Sequence, residues 1–149
     1  MKAKLEQILL LIKGYSPEKR LNEAYLGNIL SLIHHELGNE SWVGIYKLDN
    51  SELILSLFQG TPGCEIIQIG RGVVGTSFKE GKTVSINDVS KIDNYICCDA
   101  TAKSEICIPL YNKDKEIIAI FDIDLPFVHE FNEDIKLFED IAKIIERFI

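Results

Sequence analysis

The chain has 149 residues, 46% of them hydrophobic, with four cysteines and a formal net charge of −7. That length suits one domain, residues 1–149, with a core that needs neither disulfides nor a structural metal. An acidic balance without a dense Lys/Arg run lacks the footprint of a nucleic-acid binder or of a protein drawn to anionic membranes, so small molecules and other proteins remain as partners.

In chain order, Leu5, Ile8, Leu9 and Ile12 recur at helical spacing until Gly14 and predict a first helix. The apolar run 8–12 is too short to span a membrane, Glu6 precedes it and no small-residue cleavage site follows, which points to the cytoplasm. Ser16-Pro17 reads as an N-cap with a first-turn proline, opening a second helix whose apolar positions run from Leu21 to Leu37 before Gly38-Asn39. His34 and His35 fall in its last turn, where they suit the helix dipole better than a ligand role.

From Trp42 the period changes to two. Residues 42–48 and 52–58 predict an antiparallel hairpin turning at 49–51. Trp42 and Tyr46 share a face with only Gly44 between them, an arrangement open to two readings, a shallow apolar pocket or ordinary core packing. Residues 59–64 form a Gly/Pro-rich loop ending at Cys64, and 66–69 a short strand. The string Gly70-Arg71-Gly72-Val73-Val74-Gly75 matches G-x-G-x-x-G ahead of a short helix over 73–80. It lacks the long helix and βαβ setting of a dinucleotide site, leaving an anion-holding helix start or a tight turn.

Residues 82–86 predict another strand, followed by a long loop with Cys97 and Cys98, a strand over 105–108, a turn at 112–115 and a strand over 116–124. Ile118, Ile120, Asp122 and Asp124 lie on one face of that last strand. Two carboxylates behind buried isoleucines could act as an acid with a raised pKa, serve as counter-charge for a cation, or simply emerge into solvent. Phe131, Ile135, Phe138, Ile141, Ala142, Ile145 and Phe148 mark a C-terminal amphipathic helix. The expected architecture is α+β: a six-stranded antiparallel sheet, mostly sequential hairpins, with the N-terminal helices and the C-terminal helix on one face and loops free on the other.

A reducing compartment keeps Cys64, Cys97, Cys98 and Cys107 as thiols. No C-x-x-C pair joins them and the three histidines lie far away in sequence, which argues against zinc. The segment 92–109, with three cysteines beside acidic residues, is therefore the stretch the chain is expected to present.

Several strings resemble a known family: Ser41-Trp42-Val43-Gly44-Ile45-Tyr46, Phe58-Gln59-Gly60, Gly70-Arg71-Gly72-Val73-Val74-Gly75-Thr76, Cys98-Asp99-Ala100-Thr101-Ala102-Lys103-Ser104-Glu105-Ile106 and Phe121-Asp122-Ile123-Asp124. With the order of elements, they resemble a GAF domain and, within that fold, the free methionine-(R)-sulfoxide reductases. The resemblance implies a single GAF-like domain that reduces free L-methionine-(R)-sulfoxide through a cysteine sulfenic acid and an intramolecular disulfide, recycled by thioredoxin. It places the catalytic cysteines at Cys98 and Cys64, the acidic substrate-binding positions at Glu105, Asp122 and Asp124, and the pocket aromatics at Trp42 and Tyr46, with no metal and no cofactor. Val74 departs from the pattern, standing where the family usually carries a third cysteine.

The chemistry fits these residue types. A thiolate attacks the sulfoxide sulfur, an acid protonates the oxygen, and a second thiol closes the disulfide. Cys98 is the expected nucleophile and Cys64 the resolver. A bond between the neighbours Cys97 and Cys98 is strained, and Cys107 reads as a small buried hydrophobe. Two other classes compete: a non-catalytic GAF-type module sensing a small molecule or redox state, and a structural homodimer through the apolar stripes of the terminal helices.

Overall fold

The computed structural model describes residues 1–149 except Asn94, Cys97 and Asp99. Helix α1 (Lys2–Ile12) buries Leu5, Ile8, Leu9 and Ile12, the stripe that predicted it. Helix α2 (Asn22–Leu37) starts later than Ser16-Pro17 suggests. The Asn22 carboxamide accepts from the Glu18 amide at 2.8 Å, and Leu21 N–H donates to Glu18 O at 2.7 Å, so this segment closes as a turn before the helix.

Strands β1 (Trp42–Asp49), β2 (Glu52–Gln59), β3 (Ile66–Gln68), β4 (Val84–Ile86), β5 (Ser104–Tyr111) and β6 (Ile117–Leu125) form one sheet in the order β3-β2-β1-β6-β5-β4. Every neighbouring pair is antiparallel. The pairing of β6 with β1 joins the two meanders and puts both strands at the centre, where neither carries an open edge.

Strand alternation divides the interior. Val43 and Ile45 on β1, Ile106 and Ile108 on β5, and Phe121 and Ile123 on β6 form one core with α1, α2 and α4 (Ile135–Ile145). The opposite side of the same strands holds Trp42, Tyr46, Cys107 and Ile120, which cluster with Leu53, Ile67 and the valines of α3 (Gly72–Glu80). The terminal helices thus share one face as expected, but the other is not left to free loops: α3 covers part of it. Ser77 of α3 is fully buried, its Oγ 2.8 Å from the carbonyl of Lys82 and 3.2 Å from that of Cys107, which pins the helix to β5.

Candidate functional site

Period-two geometry brings Trp42, Gly44, Tyr46, Glu105, Cys107, Asp122 and Asp124 of β1, β5 and β6 to the α3 face. In register, Trp42 lies opposite Asp124, and Asp124 opposite Glu105; Gly44 lies opposite Asp122, and Asp122 opposite Cys107. Tyr46 continues the β1 side of this surface. Asp122 and Asp124 do not emerge into solvent: they are 4% and 7% exposed, and Glu105 is 5% exposed. The solvent-exit reading of that strand end fails because β6 is flanked on both sides.

The space at Gly44 is not a pocket. The Trp42 ring folds over it, so that a Cβ there would lie 2.3 Å from Trp42 Cη2 and 2.9 Å from the Phe58 Cβ. Trp42 stacks on Phe58 at 5.5 Å between centroids and on Tyr46 at 6.0 Å. The polar ends of both aromatics hold the loop between β2 and β3: Trp42 Nε1–H donates to Thr61 O at 2.8 Å, and Tyr46 O–H to Cys64 O at 3.0 Å. The pocket itself lies beyond these rings, between the carboxylates, Trp42 and Tyr46, the first turn of α3, and the segment carrying Tyr95, Ile96 and Cys98.

The glycine string shapes the opposite wall. Gly70 and Gly72 have φ of +85° and +60°, and a Cβ at Gly75 would meet Gln68 O at 2.3 Å, so the tight turn needs its glycines. The same turn presents Gly72, Val73 and Val74 to the pocket. The N-cap residue Arg71 makes no side-chain cap bond, and first-turn N–H groups have no partner within a helix, so this wall favours negative charge.

The facing wall is acidic. Burial pushes the Asp122 carboxyl up to about 7, against the lowering effect of its bonds to Cys107, Glu105 and the Ile123 backbone. Burial, and then the Asp122 charge, raises Glu105 well above the usual carboxylate range. Two coupled carboxyls in a dry site are therefore not both ionised at neutral pH. Burial and these same acids also raise Tyr46, which stays a phenol, and raise the Cys107 thiol.

Cys107 Sγ sits 3.2 Å from Glu105 Oε1 and 3.2 Å from Asp122 Oδ1. Donor atoms of these three residues lie within 4.8 Å of one another. Being buried and already bonded among themselves, they read as a proton-sharing group in preference to a set of metal ligands.

Cys64 and Cys98 form a disulfide with Cα atoms 5.3 Å apart across a sequence separation of 34. Both are half-buried, and Cys98 lines the pocket. Among the described residues Cys107 is the free thiol, while Cys97 lies outside them.

The geometry brings together six expected residues around one pocket, Trp42, Tyr46, Cys98, Glu105, Asp122 and Asp124, with Cys64 bonded to Cys98. Sequence reasoning missed Ile67, Arg71, Tyr95 and Ile96 as lining residues. It also missed the contacts of Cys107, which the alternation Glu105-x-Cys107 hints at by placing both on one face.

The GAF domain family model matches residues 23–149. The chain is 36% identical to the free methionine-R-sulfoxide reductase of Saccharomyces cerevisiae, over 96% of this chain and 84% of that one. The structure of free methionine-R-sulfoxide reductase from Neisseria meningitidis in complex with its substrate is similar at TM-score 0.82 and 34% identity, covering 97% of this chain and 85% of that one. That of fRMsr of Staphylococcus aureus in the reduced form gives TM-score 0.81 and 38% identity, covering 99% and 93%.

Proposed function

The chain belongs to the GAF domain family and, within it, to the free methionine-R-sulfoxide reductases, and from that premise we propose that it reduces free L-methionine-(R)-sulfoxide in the pocket between α3 and the acidic sheet face. The observation that carries this reading is that Cys98, half of the Cys64–Cys98 disulfide, lines the same pocket as the Glu105–Asp122 pair. A thiol and a buried acid that keeps its proton near neutral pH are the two groups that sulfoxide reduction needs.

The pocket suits a zwitterion. The substrate ammonium is held by the singly ionised Glu105–Asp122 pair and Asp124, its carboxylate by the first turn of α3, and its methylsulfinyl end by Trp42 and Tyr46. A methionine inside a polypeptide has neither terminal charge and lacks both anchors.

With the substrate seated, the Cys98 thiolate attacks the sulfoxide sulfur while the acid pair protonates the oxygen. The oxygen passes to Cys98, which becomes a sulfenic acid, and methionine leaves as the thioether. The Cys64 thiol then attacks the Cys98 sulfur, the S–S bond forms, and the oxygen departs as water. Two thiols and one sulfoxide thereby yield one disulfide, one thioether and one water. An external dithiol of the thioredoxin kind restores both thiols by exchange, a cycle suited to the cytoplasm. The absence of a third cysteine at Val74 does not interrupt this scheme, because Cys64 and Cys98 already supply both thiols.

The test is a single-turnover thiol count. Fully reduced protein mixed with the (R) form loses two thiols per chain, mapped to Cys64–Cys98, and releases one methionine, whereas the (S) form consumes none. If neither isomer consumes thiols, turnover is excluded and the pocket belongs to a binding module.

A further inference from the structure

We propose that Cys107 is a positioning residue of this site: its thiol, in contact with both Glu105 and Asp122, holds the two carboxyl groups together around one shared proton. The inference rests on the reductase reading for its use, but its geometry stands on its own.

The three side chains meet because β5 places Glu105 and Cys107 two residues apart on one face, while the β5–β6 register sets Asp122 directly across from Cys107. Sγ is 3.2 Å from an oxygen of each carboxyl, and the thiol is fully buried. Its backbone is fixed as well, through its carbonyl to Ser77 of α3 and through the pairing of Val84 with Cys107.

One carboxylic acid proton joins the two carboxyls and the S–H donates to an oxygen of the pair, so two protons hold the three side chains together with one net negative charge. If both carboxyls ionise, two anions face each other in a dry site. If both are protonated, no charge remains for an ammonium ion. The thiol donates to whichever carboxyl is ionised, which favours the singly charged form and lets the pair act as counter-charge and proton donor together. An apolar residue at position 107 leaves that anion without its donor.

Among the described residues, the other titratable groups lining this pocket are Tyr46 from β1, Asp124 from β6, and Arg71 and Tyr95. Strand β4, alongside β5, contributes Val84, Ser85 and Ile86 and no charge.

The experiment compares wild type, Cys107→Val, which nearly preserves volume, and Cys107→Ser, which restores a donor. Carboxyl ¹³C NMR titration of the reduced, substrate-free proteins, with Asp122→Asn for assignment, reads the pair directly. Profiles of kcat/KM against pH for the (R)-sulfoxide read its use. In Cys107→Val the carboxyl titration and the acid limb of the profile both move up by about 1 pH unit, giving about a tenfold loss of kcat/KM well below the midpoint. Cys107→Ser returns both toward wild type. A merely packed thiol would change stability and leave both titrations in place, and titrations unmoved in Cys107→Val overturn the inference. If Cys107→Val does not fold, an unshifted Cys107→Ala overturns it equally. Absence of turnover in wild type defeats the reductase reading while the NMR titration still decides the role of Cys107.

Discussion

Replacing Gly44 by alanine tests how the aromatic wall is built. The new Cβ points to the α3 face by strand alternation and would lie 2.3 and 2.6 Å from the Trp42 ring and 2.9 Å from the Phe58 Cβ. The ring cannot slide freely, because it is stacked on Phe58 and its Nε1–H is bonded to Thr61 O at 2.8 Å. Overpacking of a buried site costs about 1–3 kcal/mol, and loss of the indole hydrogen bond adds roughly 1 kcal/mol. For a chain of this size each kcal/mol moves Tm by about 2–4 °C, so the variant melts roughly 5–15 °C lower. Thermal unfolding of the oxidised protein measures the shift, and KM for the (R)-sulfoxide should rise because Trp42 also lines the pocket. In a Trp42→Phe background the smaller ring leaves room, and the alanine penalty shrinks by about 1 kcal/mol or more in a double-mutant cycle. A Tm within about 2 °C of wild type, or the same penalty in both backgrounds, would refute the reasoning.

The remaining predictions concern the thiols, the acids and the loop latch. Cys98→Ser releases no methionine, whereas Cys64→Ser releases one per chain and stops at a trappable sulfenic acid, as dimedone labelling with mass spectrometry will read. The oxidised protein is more stable than the reduced by about 3–4 kcal/mol on chain-entropy grounds for a separation of 34, which paired melts in oxidant and reductant check. Asp122 is raised by burial to about 7, so the folded protein binds a proton that the unfolded chain releases near pH 4; this group's stabilising contribution is full below about pH 4 and is lost as pH rises through about 7. Asp122→Asn therefore flattens the fall of Tm across that window, by roughly 4 kcal/mol at most, and a fall of equal steepness in the variant rejects that origin. Tyr46→Phe removes the bond to Cys64 O, lowers stability by about 1 kcal/mol in thermal melts and slows disulfide closure in a stopped-flow thiol assay.

What the sequence makes legible here is what alternation and local spacing carry. The faces of β1, β5 and β6 follow from period two, and so does the pairing of Trp42 with Tyr46 and of Asp122 with Asp124 on shared faces. Whether Asp122 and Asp124 are buried depends on β6 pairing with β1, a contact between residues some 80 positions apart that no local pattern specifies. Gly44 looks like a gap because the χ angles that lay Trp42 across it are set by Phe58 and Thr61. Cys107 is buried as its type suggests, but its acidic neighbours appear only once strand register is known. The start of α2 is displaced by a side-chain bond from Asn22, a competition that capping signals at Ser16-Pro17 do not reveal.

The two-sided sheet also says something about how such a chain can change over generations. The face under α1, α2 and α4 is lined almost wholly by aliphatic and aromatic side chains, whereas the opposite face buries Glu105, Asp122 and Asp124 at a net energetic loss. Neutral isosteres at those positions would make a sturdier protein with an inert pocket. Drift under relaxed selection should therefore erase the carboxylates before it touches the helical side, leaving descendants that keep the shape and have lost the reaction.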